Sequence, residues 1–170
     1  MENWVQFENA IPVCQVDGRL PREPGKYAFF VEEVARLPER FAQEAMTRPI
    51  PTLLYIGKAD VSLVQRVWRE ECQHRRPGTF FRSVGAMLGY KSPKGGRNYE
   101  FAPSDKQRVI EWIAGNLRVS WQAKVLEESH RVGELALINR FLPLLNLHGN
   151  PRKFGDLTIL RAACRAGNST

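Results

Sequence analysis

Glu134 opens the run "ELALINRFLPLLN" and is the carboxylate least at home in its surroundings. At about 100° per residue it shares a helix face with Ile138 and Phe141 and lies close to Leu137. An acid is thus embedded at the edge of an apolar stripe, where it needs an arginine, a metal ion or good donors to be tolerated. A paired or capped core glutamate and a functional acid weigh equally here. Tyr55 ends the apolar run "TLLYIG" beside Gly57, with Lys58 next in the chain. It is either core filler with a polar tip or a proton-transfer group at the edge of a site. Tyr27, in "GKYAFFV", has the same two readings. Arg66 reads by default as a solvated helix arginine and Asn146 as a turn or cap residue. Glu70, Glu71, Glu127 and Glu128 read as solvated.

These residues must be positioned by a small set of elements. Strands are predicted over Lys26–Val31, Thr52–Gly57 and Leu117–Lys124, the last with half-exposed alternation. The first two pair antiparallel across a charged, Pro-bounded connection that holds a short helix, "PERFAQEAM". A helix begins at Asp60 as N-cap, with Val61, Val64, Trp68 and Cys72 on its apolar face and Ser62, Arg66, Arg69 and Gln73 on a polar one. "TFFRSVGAMLGY" gives another, capped by Thr79. "SDKQRVIEWIAGN" gives a third, capped by Ser104. Further helices run over Ser129–Phe141 and through "LTILRAACR". The fold class is α+β, with a small, mainly antiparallel sheet of about three strands flanked by helices. The chain divides into an irregular lead-in, 1–23, a main domain, 24–150, and a C-terminal extension, 151–170.

The 170 residues suit a single domain with a real core. A formal net charge of +7, from 25 Lys+Arg against 18 Asp+Glu, fits a polyanionic partner but also plain solubility. The basic, glycine-rich loop "KSPKGGRNYEFAP" supplies Lys91, Lys94 and Arg97. Cys14, Cys72 and Cys164 form no CxxC pair, and His74, His130 and His148 have no ligand spacing to them. These spacings do not suggest a structural zinc site, and free thiols in a reducing compartment are the plain reading. No signal-peptide pattern opens the chain and no apolar run approaches the ~20 residues of a membrane span. The expected location is cytoplasmic.

Gly25-Lys26-Tyr27, Tyr55-Ile56-Gly57, Arg66 on the following helix, Glu134 in "ELALINRFLP" and Asn146 come in an order that resembles the GIY-YIG endonuclease superfamily. The resemblance covers Pro24 to Asn150. It implies a metal-dependent endonuclease that hydrolyses DNA phosphodiester bonds, leaving 5′-phosphate and 3′-hydroxyl ends, with Mg²⁺ or Mn²⁺ held by Glu134. It implies that Arg66 clamps the phosphate, that Tyr27 orients or deprotonates the attacking water and that Tyr55 hydrogen-bonds nearby. Lys58 adds positive charge, and Asn146 fixes the end of the glutamate helix. Lys58, Arg69, Lys91, Lys94 and Arg97 are the expected backbone-phosphate contacts. DNA is the expected substrate with RNA second, and a dimer would serve double-strand cleavage. The chain departs from the family in four ways. The first motif is GKY. The link between the tyrosine strands is long. Arg66 lies one residue late, which calls for a small loop insertion. Glu70 stands where a histidine or tyrosine is common, with His74 as the candidate substitute. The rival readings are a catalytically silent nucleic-acid-binding module on the same fold and a protein-interaction domain.

Overall fold

The computed structural model describes residues 3–76, 78–124 and 127–167, without the side chains of 127–132. Glu127 and Glu128, expected to be solvated, therefore lie outside the described side chains. Four strands form one antiparallel sheet: β1 (Ile11–Pro12), β2 (Gly25–Val31), β3 (Leu53–Ala59) and β4 (Leu117–Ala123), in the order β1-β4-β2-β3. The expectation of about three strands is corrected to four. The added strand is two residues long and lies in the Pro-punctuated lead-in, pairing Ile11 with Val119 at the sheet edge. An edge is where a proline costs no ladder bond. Val5, Val13, Val16 and Leu20 from the same lead-in are buried.

The central strand β2 is buried along its whole length, as its apolar run requires when both faces are covered. On one face Ala28, Phe30, Leu53 and Ile56 pack against Leu137 and Ile138 of α4 (Glu127–Phe141). On the other, Tyr27, Phe29, Leu54 and Tyr55 pack with α2 (Thr79–Met87), α3 (Pro103–Asn116), α5 (Gly155–Ala166) and a π-helix, Val64–Cys72. The short helix α1 (Glu39–Ala45) lies in the β2–β3 connection. Among the described residues, no helix is long and apolar enough to cross a membrane.

Two irregularities aim the site. Tyr55 pairs with Phe29 and Leu53 with Phe30, leaving Leu54 as an extra, bulged residue in β3. The bulge turns both Leu54 and Tyr55 to the same face, and Tyr55 then stacks on Tyr27 with centroids 6.3 Å apart. The second is the π-helix. Its winding begins after Leu63, with the Ser62 hydroxyl accepting from Gln65 N–H at 3.4 Å, so the expected N-cap at Asp60 is not made. Of its expected apolar face, Cys72 is buried and Val64 and Trp68 pack against the core, but Val61 is 73% exposed and Val67 is buried in its place. Val61 is exposed because the helix winds only after Leu63. Nor are Thr79 and Ser104 caps. Gly78 holds the N-cap position of α2, and α3 starts from Ala102 with Pro103 in its first turn. Ser120 is buried rather than half-exposed because the lead-in covers it, its hydroxyl donating to the Trp4 carbonyl.

Gly57 faces Tyr27 across the β2–β3 ladder, and a β-carbon there would stand 2.5 Å from the Tyr27 ring and hydroxyl. The glycine of the second motif thus exists to admit the tyrosine of the first. Gly57→Ala should destabilise the fold by about 1–3 kcal/mol, the usual cost of overpacking. Urea denaturation of the variant checks this; an unchanged midpoint would mean that the ring moves aside freely.

Candidate active site

A cleft of about 300 Å³ opens where the end of β3 meets the π-helix and α4. Tyr55, Lys58, Asp60, Arg66, Glu70 and Glu134 line it. Glu134 reaches it because Leu137 and Ile138, one turn on, anchor α4 against the sheet. Burial raises the Glu134 carboxyl above its ordinary range, while Lys58 and Arg66 pull it back. Lys58 is itself paired with Asp60 at 2.7 Å. Asn146 sits at the edge strand, accepting from Ile56 N–H and donating to Ile56 C=O, each at 2.9 Å. With the bonds from Leu144 and Leu145 N–H to the carbonyls of Leu53 and Leu54, it covers the open edge of β3 and ties the chain after α4 to the strand bearing Tyr55.

Beneath the cleft lies a carboxylate that reads as solvated in the sequence but is wholly buried: Glu71, at 0% exposure. It accepts from Phe81 N–H at 3.2 Å and from the Tyr27 hydroxyl at 3.4 Å, and pairs with Arg66 Nη2 at 3.2 Å. Arg66 Nη1 meets Glu70 at 3.0 Å. In the wide π turn, residues four and five positions on flank the starting side chain, so one arginine holds both acids. The extra residue before Arg66 is thus accompanied by π winding. Glu70 lines the cleft and is not solvated either. Burial works against the Arg66 charge, but the Tyr27 oxygen and the two carboxylates outweigh it and keep the guanidinium ionised. Burial lifts Glu71 as well, held back by Arg66 and the N–H groups of Phe81 and Phe80. The loop before α2 can pass over Glu71 only because residue 78 is glycine, since a β-carbon there would lie 2.4 Å from its Oε2.

Both tyrosines are neutral here. Burial, then the Glu71 charge, pushes each phenol above its usual value. Tyr55 borders the cleft, whereas Tyr27 lies behind it with its hydroxyl toward Glu71. Arg69 lies outside the cleft, in a neighbouring depression with Arg75 and Arg76. Lys91, Lys94 and Arg97 are exposed on their loop and line neither this cleft nor the one beside it. Sequence reasoning took Glu70 and Glu71 as solvated because both are acids in a charged stretch, and the role of Gly78 carries no sequence signal, since it depends on where the loop before α2 crosses Glu71.

The oxygen donors suit a hard divalent cation. Asp60, Glu70 and Glu134 outnumber Lys58 and Arg66 in the cleft, and Mg²⁺ needs only one or two carboxylates while keeping its waters. Among the described residues no three His, Cys, Asp or Glu side chains cluster as a full chelate.

His74 does not join the cleft. It is 2% exposed, stacked on Phe81 at 4.1 Å, with neither ring nitrogen hydrogen-bonded. Burial, then Lys106 and Arg82, lowers its pKa to about 4. The unfolded chain therefore takes up a proton that the folded one refuses. This contribution to stability is intact above about pH 6.5, the ordinary histidine value, and is lost as pH falls toward 4. His74→Phe, which keeps the stack, should flatten the fall in denaturation midpoint over that window; parallel profiles would show that His74 is not what titrates.

A protein-family model described as the GIY-YIG catalytic domain matches residues 25–163, which takes in the cleft and most of α5. No curated protein and no solved structure matches the chain.

Proposed function

The chain belongs to the GIY-YIG superfamily, a nuclease family in general dependent on divalent metal, and on that premise we propose that it is an endonuclease hydrolysing DNA to 5′-phosphate and 3′-hydroxyl ends. The observation that carries the reading is that Tyr55 and Arg66, on successive elements, and Glu134, far along the chain, line one carboxylate-rich cleft. Glu134, with Asp60 or Glu70, would hold Mg²⁺ or Mn²⁺. The bound cation supplies charge stabilisation at the phosphoryl and leaving oxygens. Arg66 presents a fork already oriented by Glu70 and Glu71, with a buried Nε that has no partner in this state, and it grips a phosphate oxygen. Tyr55, as a neutral phenol, donates to the phosphate or to the attacking water. Tyr27 acts from behind, holding Glu71 and through it Arg66. A phenol this buried is no base at neutral pH unless cations gather beside it when substrate binds. Lys58 offers one such charge once Asp60 releases it. A silent binding module would have no use for an acid-rich cleft, which repels a bare polyanion.

Glu134→Gln should abolish plasmid cleavage in Mg²⁺ while leaving the fold and the DNA affinity near those of the parent. Retained cleavage by a folded variant would move the metal site elsewhere, and a parent that never cuts, with or without chelator as control, would refute the nuclease reading.

Arg66→Lys should lose most activity, since an ammonium cannot span Glu70, Glu71 and a phosphate together. Single-turnover rates compare the two proteins; equal rates would reduce Arg66 to part of the general basic field.

A further inference from the structure

Tyr55 and Glu134 also border a second cleft of about 250 Å³, on the side of Glu134 away from Arg66. Its charge is the reverse of the first. Arg161, Arg165 and His148 line it, and Glu134, shared with the first cleft, is its one carboxylate among the lining residues. Arg161 is 4% exposed, yet among the described residues it forms no ion pair; nor does Arg165. Its Nη1 donates to the Thr79 carbonyl at 3.0 Å and the Ser83 hydroxyl at 2.7 Å, and its buried Nε has no partner. A buried guanidinium with no counter-ion is costly. Stacking on Tyr99, 5.6 Å from the ring centroid, offsets only part of that cost. Burial indeed lowers the hold of Arg161 on its proton.

We propose that this second cleft seats a nucleic-acid backbone phosphate flanking the scissile one, with Arg161 and Arg165 as its cationic partners. The inference rests on the nuclease reading and adds the path of the strand. The scissile phosphate lies at Arg66 and Glu134, and the chain continues past Tyr55 toward α5. The path extends further, because Gly96 N–H donates to the Arg165 carbonyl at 2.8 Å. That bond sets the loop carrying Lys91, Lys94 and Arg97 on the end of α5, so its exposed charges continue the track. Phosphate contacts of this kind fix register and carry no base information.

Arg165 is exposed, so Arg165→Ala leaves the core intact, and a denaturation curve matching the parent confirms it. Glu134→Gln protein, with and without Arg165→Ala, is titrated with a labelled DNA duplex across NaCl concentrations. The added change should weaken binding and lower the slope of log K against log salt by about 1. In the cleaving protein, a duplex with one neutral methylphosphonate beside the mapped cut should be cut more slowly at one flanking position. Arg165→Ala should be indifferent to that same substitution. An unchanged salt slope, or losses from Arg165→Ala and the methylphosphonate that simply multiply, overturns the flanking site. The nuclease reading survives that result if the parent still cuts plasmid. A parent that neither binds nor cuts overturns both.

Discussion

Three elements of this fold converge on one ion pair, the half-buried Arg66 with the fully buried Glu71. Glu71 is reached by the Tyr27 hydroxyl from β2, by Arg66 from its own π-helix and by Phe81 N–H from the first turn of α2. Taking the Glu71 charge out of water costs several kcal/mol, and the attraction of Arg66 offsets this only when further hydrogen bonds complete the arrangement. Here they do, with Glu70 completing the arginine's fork. The energetic consequence is specificity of position. If α2 slid or the π-helix unwound to a regular α-helix, a carboxylate with no access to water would lose a partner.

The local irregularities follow from that constraint. A π-helix is intrinsically poorer than an α-helix and persists where a site requires it. This one places Glu70 and Glu71 on either side of Arg66. The β3 bulge likewise gives up a ladder position to bring Tyr55 beside Tyr27. Two glycines are the steric counterparts: residue 57 admits the Tyr27 ring, and residue 78 lets the chain cross Glu71.

What could be read from the sequence was whatever obeys regular periods. "YAFFV" and "LLYIG" form strands in the expected antiparallel pairing, and Glu134, expected at the edge of an apolar helix stripe, stands one turn before the buried Leu137 and Ile138. The order of Tyr27, Tyr55, Arg66 and Glu134 was enough to suggest the family that the domain match shows. What could not be read has other causes. Glu71 follows Glu70 in a charged stretch and reads as solvated by residue type, although at 100° per residue it falls between Val64 and Val67 on the apolar side, where the structure buries it. Val61 fits the apolar stripe of an ideal helix but is exposed because winding starts at Val64. The edge strand at Ile11–Pro12 escaped for a different reason: two residues carry no periodicity, and their pairing with β4 is set by contacts more than a hundred positions away.

The two carboxylates then divide their work by environment. Glu71 is fully enclosed and saturated with donors, which leaves it no capacity for a ligand. Glu134 is only partly enclosed and is opposed by Lys58 and Arg66 across open space, so it keeps coordination free. With Asp60 and Glu70 nearby, the first cleft holds more acid than base, and a bare phosphodiester entering it is repelled until a cation neutralises the excess. The attraction for a polyanion must come from elsewhere on a chain of net charge +7. It is concentrated across Glu134 from the acids, at Arg161 and Arg165 and along the exposed loop packed on α5. On the proposed reading, a polyanion drawn to that basic side would be delivered to the acidic one, so capture of the strand and binding of the cation would be separated in space yet meet at one glutamate.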